Sequence, residues 1–191
     1  LMAVGMSVSM CATPVLAETT SILDEITEVH VKDGGNLSVP GADPDDIMFG
    51  FNVWTVLDEV MNPNVEYDKE KGGFIVEKAF AGQEVYEMPE GVGKNTLVKV
   101  EHEEVVTMAR YLSQYGLKKA TFKISLDENL ITALKVLDKL GLRSIKPAQV
   151  GDVKVVPRDV VAACAPQPKD IGDEMTGKML VGVQCIGKKD G

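Results

Sequence analysis

The sequence predicts an α+β fold, a mixed sheet covered by helices on one face. Three observations carry this. Short segments that alternate polar and apolar side chains recur along the chain, as half-buried strands do. Segments with apolar residues at helical spacing interleave with them. Hairpin-like pairs sit among both, so the sheet cannot be wholly parallel. The 191 residues suffice for one sizeable domain with a short appendage, and a hydrophobic fraction of 45% with 26% charged residues suits a chain that buries a core.

The elements follow in order. The apolar start, LMAVGMSVSMCATPVLA, has two readings. One is a strand over 2–10, a turn at Ala12-Thr13-Pro14 and a helix over 15–23, with Pro14 near the first turn, where its missing N–H costs nothing. The other is a secretory leader cut after Ala17; the missing basic flank speaks against it. Gly5 and Pro14 interrupt the run, which falls short of the ~20 apolar residues of a membrane span. Residues 24–32 alternate and read as a strand, ending in the loop Asp33-Gly34-Gly35-Asn36. Within 48–61 the first residues suit a short strand, and Val53 onward suits a helix stopped by Asn62-Pro63.

Residues 65–68 and 74–77 form a hairpin around 69–73, and 84–88 is extended. A strand over 97–101 leads into a helix over 103–114, with Glu103 and Glu104 in its first turn and Gly116 beyond its end. Residues 119–124 form the next strand. Ser125-Leu126-Asp127-Glu128 reads as a capping box with Ser125 at the cap. The helix behind it places Leu130, Ala133, Leu134, Leu137 and Leu140 on one face before Gly141. A strand over 153–156, a helix over 157–165 and a strand over 178–186 complete the map. The turn 187–191 calls for a return strand that the sequence does not contain, so both ends look cut and the chain reads as part of a larger protein.

Composition narrows the function. A net charge of −9 with scattered Lys and Arg argues against nucleic-acid binding. Cys11, Cys164 and Cys185 are far apart, no CxxC pair exists, and His30 and His102 are the only histidines. That inventory supplies no obvious zinc set and suits reduced thiols in the cytosol. Glu90-Gly91-Val92-Gly93-Lys94-Asn95 contains a GxG but lacks the third glycine and the preceding apolar strand of a dinucleotide site, so it reads as a plain turn.

Val100-Glu101-His102-Glu103-Glu104 is the densest titratable cluster. A histidine among carboxylates, its pKa raised by their charge, can act as a general acid or base; a solvated helix start is the competing reading. Arg110 and Tyr111, two turns on, are able to hold a carboxylate or simply face solvent. Trp54, the single tryptophan, is expected in the core, with a ligand cleft as the alternative.

Taken in order, Lys32-Asp33-Gly34-Gly35, Phe49-Gly50-Phe51-Asn52-Val53-Trp54, Glu90-Gly91-Val92-Gly93, the His102 cluster, Arg110-Tyr111-Leu112 and the stretch ending in Gly141-Leu142 resemble the saccharopine dehydrogenase family. The resemblance covers nearly the whole chain through individually weak motifs; Pro14-Val15 departs from the family's Pro-Gly junction. It implies that residues 1–23 lead out of an NAD- or NADP-binding Rossmann domain lying upstream. Residues 24–191 would be most of a second domain for substrate and dimerisation. The implied reaction is hydride transfer between nicotinamide and a C–N bond of a lysine-derived amino acid, in a cytoplasmic homodimer without membrane, nucleic-acid or metal partners. The substrate-side candidates are Asn52, Trp54, His102, Glu103, Arg110 and Lys123, with no catalytic residue assigned and no cofactor held by this piece alone. A non-catalytic assembly domain, or a secreted domain lacking 1–17, remain the alternatives.

Overall fold

A computed structural model describes residues 2–7, 22–43, 45–168 and 175–190, with the side chains of 2–7 left aside. Eight strands form the main sheet: β1 (Met2–Ser7), β2 (Glu25–Gly35), β3 (Asn64–Asp68), β4 (Gly73–Glu77), β5 (Glu84–Met88), β6 (Gly93–Lys99), β7 (Lys119–Ser125) and, last in the chain, β10 (Met179–Lys188). Between β7 and β10, β8 (Ala148–Val150) and β9 (Val153–Val155) make a separate hairpin. The described residues hold four α-helices, α1 (Val53–Met61), α2 (Glu103–Leu112), α3 (Glu128–Lys139) and α4 (Pro157–Cys164). None is long and apolar enough to cross a membrane.

The sheet runs β1-β10-β2-β7 and then forks. β3 pairs with the first residues of β7 and β6 with the last, and each carries its own hairpin partner, β4 and β5. β2 and β7 are parallel and every other pair in the sheet is antiparallel. One face of it builds the core. Val29 and Val31 of β2 and Ala120 and Phe122 of β7 join buried residues from all four helices in a single cluster, including Leu57, Met108, Leu134 and Ala162. Apolar residues three and four apart bring each helix onto that face. The architecture is therefore the α+β arrangement expected, a mixed sheet with its helices on one side.

Several local expectations need correction. Asp33, Gly34 and Gly35 are not a loop: they extend β2 and pair with Val181, Leu180 and Met179 of β10. Gly34 is there because the β5–β6 hairpin lies against it, and a Cβ would come within 2.9 Å of Asn95 Oδ1 and 3.2 Å of Met88 Cε. Residues 48–52 form no strand. β6 begins at Gly93, four residues early, because the Glu90–Gly93 segment is the tight turn of a hairpin.

The capping box does not form. Asp127, two residues after Ser125, caps α3 through Asn129 N and Leu130 N, while Ser125 closes β7. Leu140 falls on the helix C-cap and is 68% exposed, whereas Ile131 is buried in its stead. The last strand continues through Gly187 and Lys188 and is paired on both edges, by β1 and β2. The helix expected over 15–23 falls almost wholly outside the described residues.

Candidate functional site

Two polar regions lie on opposite faces of the sheet. The first is at the start of α2. Val100 and Glu101 lead from β6 to His102, the N-cap, whose side chain makes no capping hydrogen bond. Its ring lies flat on Phe122 of β7, with centroids 3.8 Å apart and planes at 2°. The Glu104 carboxylate meets Nδ1 and Glu103 lies 3.6 Å from it. Burial pushes the His102 pKa down, outweighing the upward pull of Glu103. This reverses the expected direction: packing against Phe122 costs the imidazolium its water, and the exposed Glu103 returns too little. The ring is thus neutral near pH 7, an acceptor rather than a cation.

Behind His102 the helix side of the sheet carries two more carboxyl groups. Asp33 has a buried Oδ1 without a hydrogen-bond partner, and burial pushes its pKa up to about 6. Glu59 on α1 is also raised, by burial first and then by the charges of Glu103, Asp33 and Asp58. Asp33, Glu59 and His102, with Glu103 beside them, make a corner in which burial raises the Asp33 and Glu59 carboxyls and lowers the imidazole, drawing acid and base toward each other as a general acid–base site requires. His102, Glu103 and Glu104 also bring ligand atoms within 4.8 Å of one another. Three consecutive residues, one of them with its carboxylate 84% exposed, are a poor cage for an ion that takes four ligands.

The six sequence-predicted residues are not brought together. His102 and Glu103 share the corner. Arg110 is exposed at the far end of α2, with its guanidinium carbon 6.0 Å from the Tyr111 ring centroid. Asn52 caps α1, accepting from Thr55 N at 3.1 Å. Trp54 is 42% exposed, not the core residue expected. Lys123 lies on the other face of the sheet, ion-paired to Glu84 at 2.5 Å. Asp33 and Glu59 were missed. Asp33 stood inside the quoted Lys32-to-Gly35 motif, but nothing in the sequence marked it as buried.

The second region is a row of three lysines on the face away from the helices. Lys32 of β2 stands opposite Lys123 of β7, which stands opposite Lys99 of β6. Like charges directly across a sheet repel, and carboxylates compensate them unevenly. Lys99 has Glu66 and Glu77, each at 2.5 Å. Lys32 (3.1 Å) and Lys123 (2.5 Å) share Glu84. Beside them His30 bonds Glu28 through Nε2 (3.0 Å) and Thr121 Oγ1 through Nδ1 (2.8 Å). Its pKa is lowered, chiefly by burial, so the neutral ring donates to Glu28 and accepts from Thr121.

No family model matches the chain. A carboxyaminopropylagmatine dehydrogenase from Synechocystis sp. is 29% identical over 90 residues, which is 47% of this chain and 22% of that enzyme. The resemblance to the saccharopine dehydrogenase family holds. An apo histidine-tagged saccharopine dehydrogenase (L-Glu forming) from Saccharomyces cerevisiae superposes with a TM-score of 0.49 at 13% identity, covering 71% of this chain and 32% of that one. Superposition of that quality carries no weight beside the sequence match. The chain spans less than a third of the length of either of these proteins, 22% and 32%.

Proposed function

We propose that this chain is the substrate-side part of an NAD(P)-dependent oxidoreductase of the saccharopine dehydrogenase type, acting on the C–N bond of a lysine-derived amino acid. The 90-residue match to a carboxyaminopropylagmatine dehydrogenase carries the proposal. The geometry supports it at the His102 corner. An ammonium must shed its proton before the carbon beside it can be oxidised, and a neutral imidazole within a group of carboxylates attracts such a cation and takes that proton. His102 would be the acceptor, and Asp33, Glu59 and Glu103 would hold the amine. Asn52, Trp54, Arg110 and Lys123 lie away from this corner and are not needed for the step.

The dinucleotide would be held elsewhere in the whole protein. Glu90–Gly93 joins two antiparallel strands, whereas a pyrophosphate site needs a strand, a glycine turn and a helix start. We also propose a cytoplasmic homodimer with no nucleic-acid or membrane partner. The test is NAD(P) reduction by the whole protein with saccharopine and with other lysine-derived or agmatine-derived secondary amines. Activity with one of them, reduced at least about a hundredfold in His102→Gln, the scale of a lost general base, is the expected result. No turnover with any such amine sinks the reading. Calorimetry on the 191-residue chain alone should show no dinucleotide binding; tight binding would place the cofactor here and overturn the division of roles.

A further inference from the structure

Residues 145–156 leave the body of the domain as an arm. Among the described residues β8 and β9 pair only with each other. Five of their six residues are exposed, and Val155 is half-buried. A two-stranded hairpin alone in water is marginally stable and needs a second layer to pack on. This one is patterned for such a layer. Ala148 stands opposite Val155 and Val150 opposite Val153, while Gln149 stands opposite Lys154 between them. Residues directly opposed across two strands share a face. One face is therefore Ala148, Val150, Val153 and Val155, wholly apolar, and the other is Gln149 and Lys154. Val150 is 57% exposed and Val153 59%, so the apolar face meets water.

The arm is held firmly at its base. Arg158, the buried second residue of α4, donates to Arg143 O (2.8 Å) and to Asn62 Oδ1 (3.0 Å), and pairs with Asp58 of α1. Arg143 donates in turn to Met61 O at 3.3 Å. Both strands thus grow from segments tied to α1 and its end, and a two-residue turn, Gly151-Asp152, closes the tip. An arm fixed before it meets its partner loses little freedom on docking.

Charge says what the partner is. The tip carries Asp152 and the base Lys146. Among the described residues neither side chain takes part in an ion pair. Two such hairpins, stacked on their apolar faces and running in opposite directions, bring each Asp152 beside the partner's Lys146. Stacked in the same direction they bring like charges together. An interface between identical surfaces repeats every contact about its two-fold axis, so a face acidic at one end and basic at the other is its own complement. Leu140 and Ile145, each 68% exposed on the segment entering the base, add apolar area beyond the hairpin's four residues. Standard interfaces need such an addition, at roughly 800 Å² a side.

We infer that the β8–β9 hairpin is the surface through which two copies of this chain associate, the two apolar faces packed antiparallel about a two-fold axis. This gives a place to the homodimer proposed above and rests on that reading. It is independent of the dehydrogenase chemistry, since the arm carries none of the residues of the His102 corner.

The test is sedimentation of the 191-residue chain and of three variants at exposed positions, Val150→Asp, Asp152→Lys and Lys146→Asp. Their melting temperatures should match the parent's, which separates loss of the interface from loss of the fold. The parent should form a dimer. Each variant should weaken it at least about tenfold, because every change is counted twice across the axis. Mixed in equal amounts, Asp152→Lys and Lys146→Asp should form a dimer of at least parental strength, since each contact then pairs opposite charges again. A monomeric parent overturns the surface, leaves the face to another occupant, and hands the homodimer to sedimentation of the whole protein. A dimer unmoved by Val150→Asp overturns the surface and keeps the homodimer. Failure of the two charge variants to associate when mixed overturns the antiparallel pairing.

Discussion

β2 and β7 present Val29, Val31, Ala120 and Phe122 to the helices and, from the alternate positions of the same strands, His30, Lys32, Thr121 and Lys123 to the other side. All of these apolar residues are buried, and so are Lys32, Thr121 and Lys123 at 8–9% exposed. Accessibility alone does not tell the two faces apart. They differ in what holds them. The helix side is stabilised by area removed from water, which is nearly indifferent to which atoms meet. The lysine side is stabilised only while each charge keeps its partner, because dehydration of a lone ion costs more than the pair gains. One face should therefore respond to volume and the other to pairing.

The largest effect tests the first half of that contrast. Leu57→Ala, in a helix residue with no exposure, should lower stability by about 2–5 kcal/mol, the range for a buried leucine replaced by alanine. Urea denaturation measures it. A loss well under 1 kcal/mol would mean that the helix layer is loosely packed and that the comparison is misdrawn.

The next effect tests pairing. Glu84→Leu leaves Lys32 and Lys123 without their shared carboxylate and should cost about 1–3 kcal/mol, below the full figure for a buried pair because the Glu84 side chain is 36% exposed. Adding Lys123→Met should recover part of that loss. If the double substitution instead costs the sum of the single ones, the charges are independent and pairing does not hold this face together.

A smaller effect comes from pH. The Asp33 pKa is raised to about 6 in the folded protein from 3.8, so the folded state binds the proton more tightly than the unfolded chain. Stability from this group therefore falls as pH rises from about 4 to 6 and is level above. The full shift would be ~3 kcal/mol, and partial exposure of the carboxyl brings it nearer 1–2. His102 and His30, both lowered, act in the opposite sense, losing stability as pH falls below about 6.5. Asp33→Asn should remove the Asp33 part of the slope between about pH 4 and 6 and leave the contributions of the other shifted groups in place. An unchanged pH profile of the melting temperature in that variant would show that Asp33 is hydrated in the folded protein.

Alternation made the strands legible, and helical spacing made α1, α2 and α3 legible to within a few residues, because both periodicities report burial directly. Pairing is not written that way. Nothing about Lys123 in the sequence separates a substrate ligand from a partner of Glu84, which lies 39 positions away. The direction of the His102 shift was also hidden, since it depends on Phe122 arriving from another strand. Gly34 and Gly35 looked like a loop because glycine permits one; only the Met88 and Asn95 side chains against Gly34 show that a strand can need glycine for space. The candidate site was thus legible as a cluster of titratable residues and not as a geometry.

The smallest effect separates cap from ligand at Asn52. Its Oδ1 accepts from Thr55 N at 3.1 Å, satisfying one of the N–H groups that the first turn of α1 leaves unpaired. Asn52→Ala should cost about 1 kcal/mol, and Asn52→Ser, which caps equally well, close to nothing. A substrate-binding role predicts a different pattern. Serine is too short to replace an amide that reaches a ligand, so KM in the whole protein would rise in Asn52→Ser even though the helix is intact. If stability and KM are both unmoved in Asn52→Ser, the residue belongs to the helix layer alone. A raised KM with parental stability would return it to the substrate side, and the separation between structural face and functional corner would have to be redrawn through the start of α1.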